Sequence, residues 1–290
     1  VSLSLIVLDK EEKSDSILFI DTASEHFHEK RKGNEGLGLG KNKLVNVDEI
    51  LQIFEQNLDG TYSRLVSRDE CAENDYNLLP QRYVLRGEGP QLDNILKDTK
   101  VQLEELVEFI RPQTLKDYIA DEGEDCFEVS VGDIGADGII QTPKKIIYLS
   151  AKADSRVYQQ KLSPADVLLA IKGSTGRVGF VPEDLRDTWF ANQSFLVLRM
   201  RYNKYFENSI VLFRYLTSPI GQALLQRLVG GTTVPMLQTK DIKALPVVVP
   251  PTEEQNTIVE DHQKIVSIYR EIAELEAEAE AIGKKHWKLD

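Results

Sequence analysis

A chain of 290 residues, 41% of them hydrophobic, can hold one large domain or two modest ones and is too apolar to be disordered throughout. No apolar run approaches the roughly 18 residues of a membrane span. Even VSLSLIVLD breaks at Asp9 and Lys10, and it lacks the basic lead and small-residue cleavage pattern of a secretory signal, so a soluble, cytoplasmic protein is expected. The net charge of −12 argues against nucleic acid only if it is evenly spread.

It is not evenly spread. Residues 1–140 hold 15 basic and 30 acidic side chains, residues 141–250 hold 15 and 7, and residues 251–290 hold 5 and 10. A basic block inside an acidic chain is what localised phosphate binding requires, although lysines and arginines on a solvated face look the same. Cys71 and Cys126 stand at neither metal nor disulfide-framework spacing and are expected to be reduced and half-buried. Val1 already lies in a strand-like segment, as it would in a piece of a longer chain.

In chain order, VSLSLIVLD and SILFIDTAS read as consecutive strands of one sheet, separated by a polar turn. HEKRKGNEGLGLGKN has no usable period and reads as a loop. Asn46 is expected to cap a helix with Glu49 as reciprocal partner and Ile50, Ile53, Phe54 and Leu58 on one face. A boundary falls near Gly87, Gly89 and Pro90. From Gln91 to Ile110 apolar residues recur at three- and four-residue steps until Pro112, predicting an amphipathic helix. Strand patterns follow: FEVSV, KKIIYLS, DVLLAIKG, RVGFV, SFLVLRMR and PVVV. They are interrupted by a helical patch, SIVLFRYLTSPIGQALLQRL, whose second half has Ser218 as cap and Pro219 at its first position. Thr252 and Gln255 form the pattern of a capping box that opens a last helix. Its apolar residues fall in heptads, Ile258, Ile265, Ile272 and Ala279 in one column and Ile268, Leu275, Ile282 and Leu289 in the other. Such a seam needs another helix, either Gln91–Ile110 or the same helix of a second chain.

Gly173-Ser-Thr-Gly-Arg-Val-Gly179 is the stretch with most chemistry. Its glycines allow close backbone approach, and Lys172, Ser174, Thr175 and Arg177 can reach phosphate oxygens; a plain tight turn between strands fits equally. It is no P-loop, lacking the Gly-Lys-Ser/Thr ending. Gly36–Gly40 lacks the third glycine and strand-to-helix setting of a dinucleotide loop. His26 and His28, among Glu25 and Glu29, read as solvated surface rather than metal ligands, and His262 and His286 as surface or seam positions.

Together these segments resemble two adjoining parts of type I restriction-modification systems. From about Asp125 to Gln255 the chain is similar to a target-recognition domain of a specificity subunit. The resemblance rests on FEVSVGDIGADGII, DVLLAIKGSTGRVGFV, ANQSFLVLR, YLTSPIGQALLQRLVGGTTVPML and DIKALPVVVPPTEEQNTIV in that order. The PPTEEQ ending runs into what in that family is a coiled-coil spacer docking methyltransferase subunits. Residues 1–86 look like the carboxyl-terminal end of the adenine-N6 modification subunit, closing on NDYNLLPQRYV. The resemblance implies an α/β (α+β) protein: a small methyltransferase tail over 1–88, a sheet-rich recognition domain over 89–251 and a spacer helix over 252–290. The Asn/Asp-Pro-Pro-Tyr/Phe motif and the glycine-rich S-adenosylmethionine loop are not in these residues. The chain is therefore expected to bind no cofactor and to catalyse nothing alone, the methyl donor belonging to a catalytic domain before Val1.

The expected function is recognition of duplex DNA for that methylase. Phosphate contacts are expected at Lys172, Ser174, Thr175 and Arg177, with Lys152, Arg156, Lys161, Thr232 and Thr233 as lesser candidates. Further partners that the resemblance admits are an endonuclease subunit and a second copy through 252–290. Two rivals are a protein-docking module that never touches DNA and an enzyme with an unrecognised amino-terminal site.

Overall fold

The computed structural model describes residues 6, 7, 14–22, 25–29, 43–73, 76, 78–84, 92, 95–97, 99–150, 152–230 and 236–284. The chain divides into two compact units, Val1–Asp98 with Ala223–Thr233, and Thr99–Gln222 with Val234–Asp290. Among the described residues no helix is long and apolar enough to cross a membrane.

In the first unit, β1 (Ser16–Ile20) follows the run expected to be its neighbouring strand, most of which lies outside the described residues. Of that run only Ile6 and Val7 are described, and both are exposed and outside any strand. β1 runs antiparallel to β4 (Ser63–Ser67), with Ile17 opposite Val66. β2 (His28–Glu29) and β3 (Lys43–Leu44) make a short ribbon. Helices α1 (Val47–Gln56) and α2 (Arg68–Glu73) flank the strands. Phe19, Val66, Cys71, Tyr83 and Val84 form the core, where the Phe19 and Tyr83 rings stack at 4.3 Å. The capping box expected at α1 is absent. Asn46 has left-handed backbone (φ 54°), and its side-chain amide donates 2.8 Å to the His26 carbonyl instead of facing the helix. Glu49 meets His26 Nε2 at 2.6 Å rather than the cap backbone. The 87–90 boundary and Gly36–Gly40 lie outside the described residues.

The helix expected over Gln91–Ile110 begins in the first unit, runs into the second and is broken. Its described early residues 92, 95 and 96 are helical, but a separate turn, α3 (Leu103–Leu106), restarts on a Gln102/Glu105 capping box, and Val107–Ile110 is strand β5. Leu103, Leu106, Val107 and Ile110 stand at helical spacing. Even so, four register pairs with β12 (Phe195–Met200), from Ile110 opposite Val197 to Val107 opposite Met200, outweigh that local period. Two four-stranded sheets result. One has the order β10-β9-β12-β5, with β9 at Val167–Ala170 and β10 at Val178–Phe180. The other has β11 (Trp189–Ala191), β7 (Glu124–Val129), β8 (Lys145–Leu149) and β6 (Ile119–Ala120) in that order, β11 parallel to β7.

Leu168, Ala170, Phe195 and Val197 of the first sheet meet Val129, Trp189 and Ala191 of the second in one core. The remaining face of β9 is also buried, since all four of its residues are, and the next helical layer follows there. That layer is α5 (Ser209–Thr217), which packs on β9 and β10. A sheet covered on both faces explains continuous apolar runs such as DVLLA in place of alternation. A further cluster of Leu115, Cys126, Ile147, Leu149, Val157 and Phe190 backs the second sheet and includes α4 (Ser155–Tyr158). Both cysteines are free and buried.

Ser218 caps α6 (Pro219–Leu228) as expected, its Oγ accepting from Gly221 N at 3.1 Å. PVVV is no strand: Pro246 makes a single bridge to Gln102 and Val247 donates to the Val101 carbonyl. Prolines at 246, 250 and 251 remove the donors a ladder needs. After α7 (Thr239–Lys243), α8 runs over Thr252–Lys284. Gln255 closes no capping box; it is buried and donates through Nε2 to the carbonyls of Tyr205 (2.8 Å) and Pro250 (2.9 Å). The helix packs on α5, with its buried residues Gln255 and His262 in its first part. His262 is buried there, whereas Ile268, Ile272, Leu275 and Ile282 are exposed, and Leu289 and His286 lie outside the described residues.

Candidate nucleic-acid interface

The glycine stretch is the turn that joins β9 to β10. Gly173 (φ 74°) and Gly176 (φ 85°) take left-handed backbone that side chains resist. The turn is held from inside. Gly176 N donates to the Ala170 carbonyl at 2.9 Å, Arg177 N to Ser174 at 3.2 Å, and Gln222 Nε2 to the Gly176 carbonyl at 3.0 Å. Held this way, Gly173 faces open space, Ser174 is exposed, and Lys172 and Thr175 are half-buried. Lys172 bridges Met236 through its backbone. Arg177 is exposed, but its Nη2 donates to the Ile134 carbonyl at 2.7 Å, which fixes the guanidinium and leaves its other donors. Beside the turn is a hollow of 360 Å³ whose lining includes Arg177, Arg214 and Gln222, with Asp137 as its carboxylate. The surroundings of the turn are therefore net basic. Burial lowers the Arg214 pKa from its ordinary value, partly offset by Asp137.

The lesser candidates do not join this cluster. Lys161 precedes β9 while the turn follows it, so the two occupy opposite ends of that strand. Lys161 Nζ donates to Thr188 Oγ1 at 3.1 Å, beside the Glu124 carboxylate that holds the Tyr158 hydroxyl at 2.6 Å. Lys152 is exposed just beyond β8. Arg156 is on α4 with its side chain outside the description, and Thr232 and Thr233 lie outside the described residues. The sequence reading missed Arg111, Arg186 and Arg199, which with Lys161, Glu108 and Asp187 line a cleft of 740 Å³. They are single arginines in separate segments that line one cleft only in the folded chain. Arg199 is locked there by Asp166, with Nε and Nη2 at 2.9 and 2.8 Å from the two carboxylate oxygens, and this bond raises the arginine's pKa.

The family described as "Type I restriction modification DNA specificity domain" matches residues 97–280, more than half of the chain. The chain belongs to that family. A second family, N-6 DNA methylase, matches residues 1–89. No curated protein matches the chain. Among solved structures, the type I restriction-modification S subunit from M. genitalium is 17% identical, with 65% of this chain and 44% of that one covered and a TM-score of 0.40. The HsdS subunit from Thermoanaerobacter tengcongensis is 17% identical over 80% of this chain and 50% of that one, at 0.42. The type IIG restriction endonuclease BpuSI is 10% identical over 75% and 33%, also at 0.42. The chain thus spans about half or less of these structures.

Within this specificity-domain family member, the match from residue 97 to 280 takes in both sheets, α5, and the long helix as far as its exposed part. The methylase match falls on the β1–β4 strand pair. The described residues there close an apolar cluster around Phe19 and Tyr83.

Proposed function

We propose that the sheet module of this chain recognises duplex DNA for an adenine-N6 methyltransferase. Lys172, Ser174, Thr175 and Arg177 at the glycine turn contact backbone phosphates, and Lys152, Arg156, Lys161, Thr232 and Thr233 contribute elsewhere. The observation that carries this is the turn itself: two left-handed glycines shape a backbone bend flanked by Lys172 and Arg177, inside a segment with eight more basic than acidic side chains. The parts divide as a methylase tail over 1–88, the recognition domain over 89–251 and a spacer helix over 252–290. Partners are the methylating domain, which holds the methyl donor and flips its adenine, an endonuclease subunit, and a second copy through the exposed heptad face. The setting is cytoplasmic.

Lys172→Ala with Arg177→Ala should weaken binding to all sequences alike and reduce the slope of log affinity against log salt by about two. A mobility-shift titration over several salt concentrations reads this. Unchanged affinity removes the turn from the interface, and salt-insensitive behaviour of the parent chain points instead to a protein-docking module.

A further inference from the structure

The segment joining β12 to α5, Arg201-Tyr-Asn-Lys-Tyr205, belongs to none of the sites above. Tyr202 is 106% exposed, as open as a tyrosine in an unfolded peptide. Its neighbours Arg201 and Lys204 are exposed too, and Glu207 is the one carboxylate between residues 201 and 210.

The exposure of Tyr202 does not come from a loose loop. Asn203 clamps the turn, its Nδ2 donating to the Arg201 carbonyl at 2.8 Å and its Oδ1 accepting from Tyr205 N at 2.9 Å and Phe206 N at 2.8 Å. Arg201 N is tied to the Leu106 carbonyl at 2.9 Å, the Tyr205 carbonyl accepts from Gln255 Nε2 of the long helix, and Phe206 is buried. Lys204 Nζ stands 5.0 Å from the Tyr205 ring centre. The fold thus clamps the backbone that carries an exposed aromatic ring between two cations. With that backbone already ordered, binding restricts only side-chain freedom, the ring offers a large flat face, and the charge of both neighbours selects a polyanion.

We propose that this loop is a second DNA-contacting element, resting on the DNA-binding reading above. Tyr202 packs its ring on a base or sugar face, as stacking and wedging aromatics do, while Arg201 and Lys204 take adjacent phosphates. It lies at the far end of β12 from the glycine turn, because Phe195 at the start of β12 pairs with Ala170 just before that turn. Six residues of strand separate the two by roughly 17 Å, so mutation can address each alone.

The test is a fluorescence-anisotropy titration of the full chain against a fixed duplex over a salt series. Because Tyr202 is fully exposed, its replacement leaves the fold intact. Tyr202→Ala should lower affinity by roughly fivefold to a hundredfold with the salt slope unchanged. Tyr202→Phe should bind like the parent, and Arg201→Ala with Lys204→Ala should lower the slope by about two. Parent-like affinity of Tyr202→Ala overturns the proposal. So does a Tyr202→Phe loss as large as that of the alanine, which would place the contact in the hydroxyl. If Lys172→Ala with Arg177→Ala weakens binding while Tyr202→Ala is silent, the loop falls and the DNA reading stands. If the parent chain shows no salt-sensitive binding, both fall.

Discussion

His262 on α8 accepts a 2.7 Å hydrogen bond at Nδ1 from Nη2 of Arg214 on α5, and this bond ties the long helix to the sheet module. An arginine can only donate, so the histidine is the neutral Nε2–H tautomer. The Phe213 and Phe180 rings stand edge-on to it at 5.7 and 5.9 Å. Burial, and then the Arg214 charge, push its pKa down from 6.5 to about 4, with Asp137 opposing. In the unfolded chain the ring takes a proton near pH 6.5, so between there and about pH 4 the unfolded state binds more protons than the folded one. Stability from this site is therefore complete above that window and lost as pH falls through it, by up to ~3 kcal/mol. Melting curves across the window should show a steeper fall for the parent than for His262→Asn, whose Oδ1 keeps the acceptor without the titration. Parallel falls would contradict the assignment.

Asp166 is 1% exposed and its carboxylate is satisfied from three sides, by Arg199 Nε and Nη2 and by Ser163 N at 2.7 Å. Removing the cation leaves a buried charge without its counter-ion. Arg199→Met should cost about 3–5 kcal/mol in urea unfolding. Combining it with Asp166→Asn should recover a good part of that, since the amide needs no counter-charge. A double variant no more stable than the single one would mean that Arg199 acts through packing alone.

Strands and helices with their own signal were legible. The runs VLLA, VGF and FLVLRM became β9, β10 and β12, and Ser218–Pro219 marked the start of α6. Elements decided by partners were not. Val107–Ile110 carries helical spacing and is a strand because β12 offers it a ladder. Asn46 and Gln255 have capping side chains, but carbonyls distant in sequence, at His26 and Tyr205, claimed them. His262 looks like one more polar residue in a charged helix, and nothing local announces that Arg214 and two phenylalanines enclose it. The candidate site followed the same rule: the glycine turn is contiguous and was found, whereas the cleft of Arg111, Arg186 and Arg199 exists only after folding.

Two glycines in helices should respond to alanine with opposite signs. Propensity alone favours alanine by up to about 1 kcal/mol in a helix interior. At Gly283, near the end of α8, a Cβ meets nothing within 4 Å, so Gly283→Ala should be neutral or gain a few tenths of that amount, about 0.3 kcal/mol. At Gly221 the Cβ would stand 2.1 Å from the Tyr215 carbonyl oxygen and 2.8 Å from Leu216 Cα, both backbone atoms. These cannot swing aside as a side-chain tip can, and Tyr215 is further held by its hydroxyl on the Pro246 carbonyl at 2.7 Å. The α5–α6 junction must open, which outweighs propensity, and Gly221→Ala should lose roughly 1–3 kcal/mol by urea midpoint. An equal or raised midpoint for Gly221→Ala would show that α5 and α6 are not packed this closely.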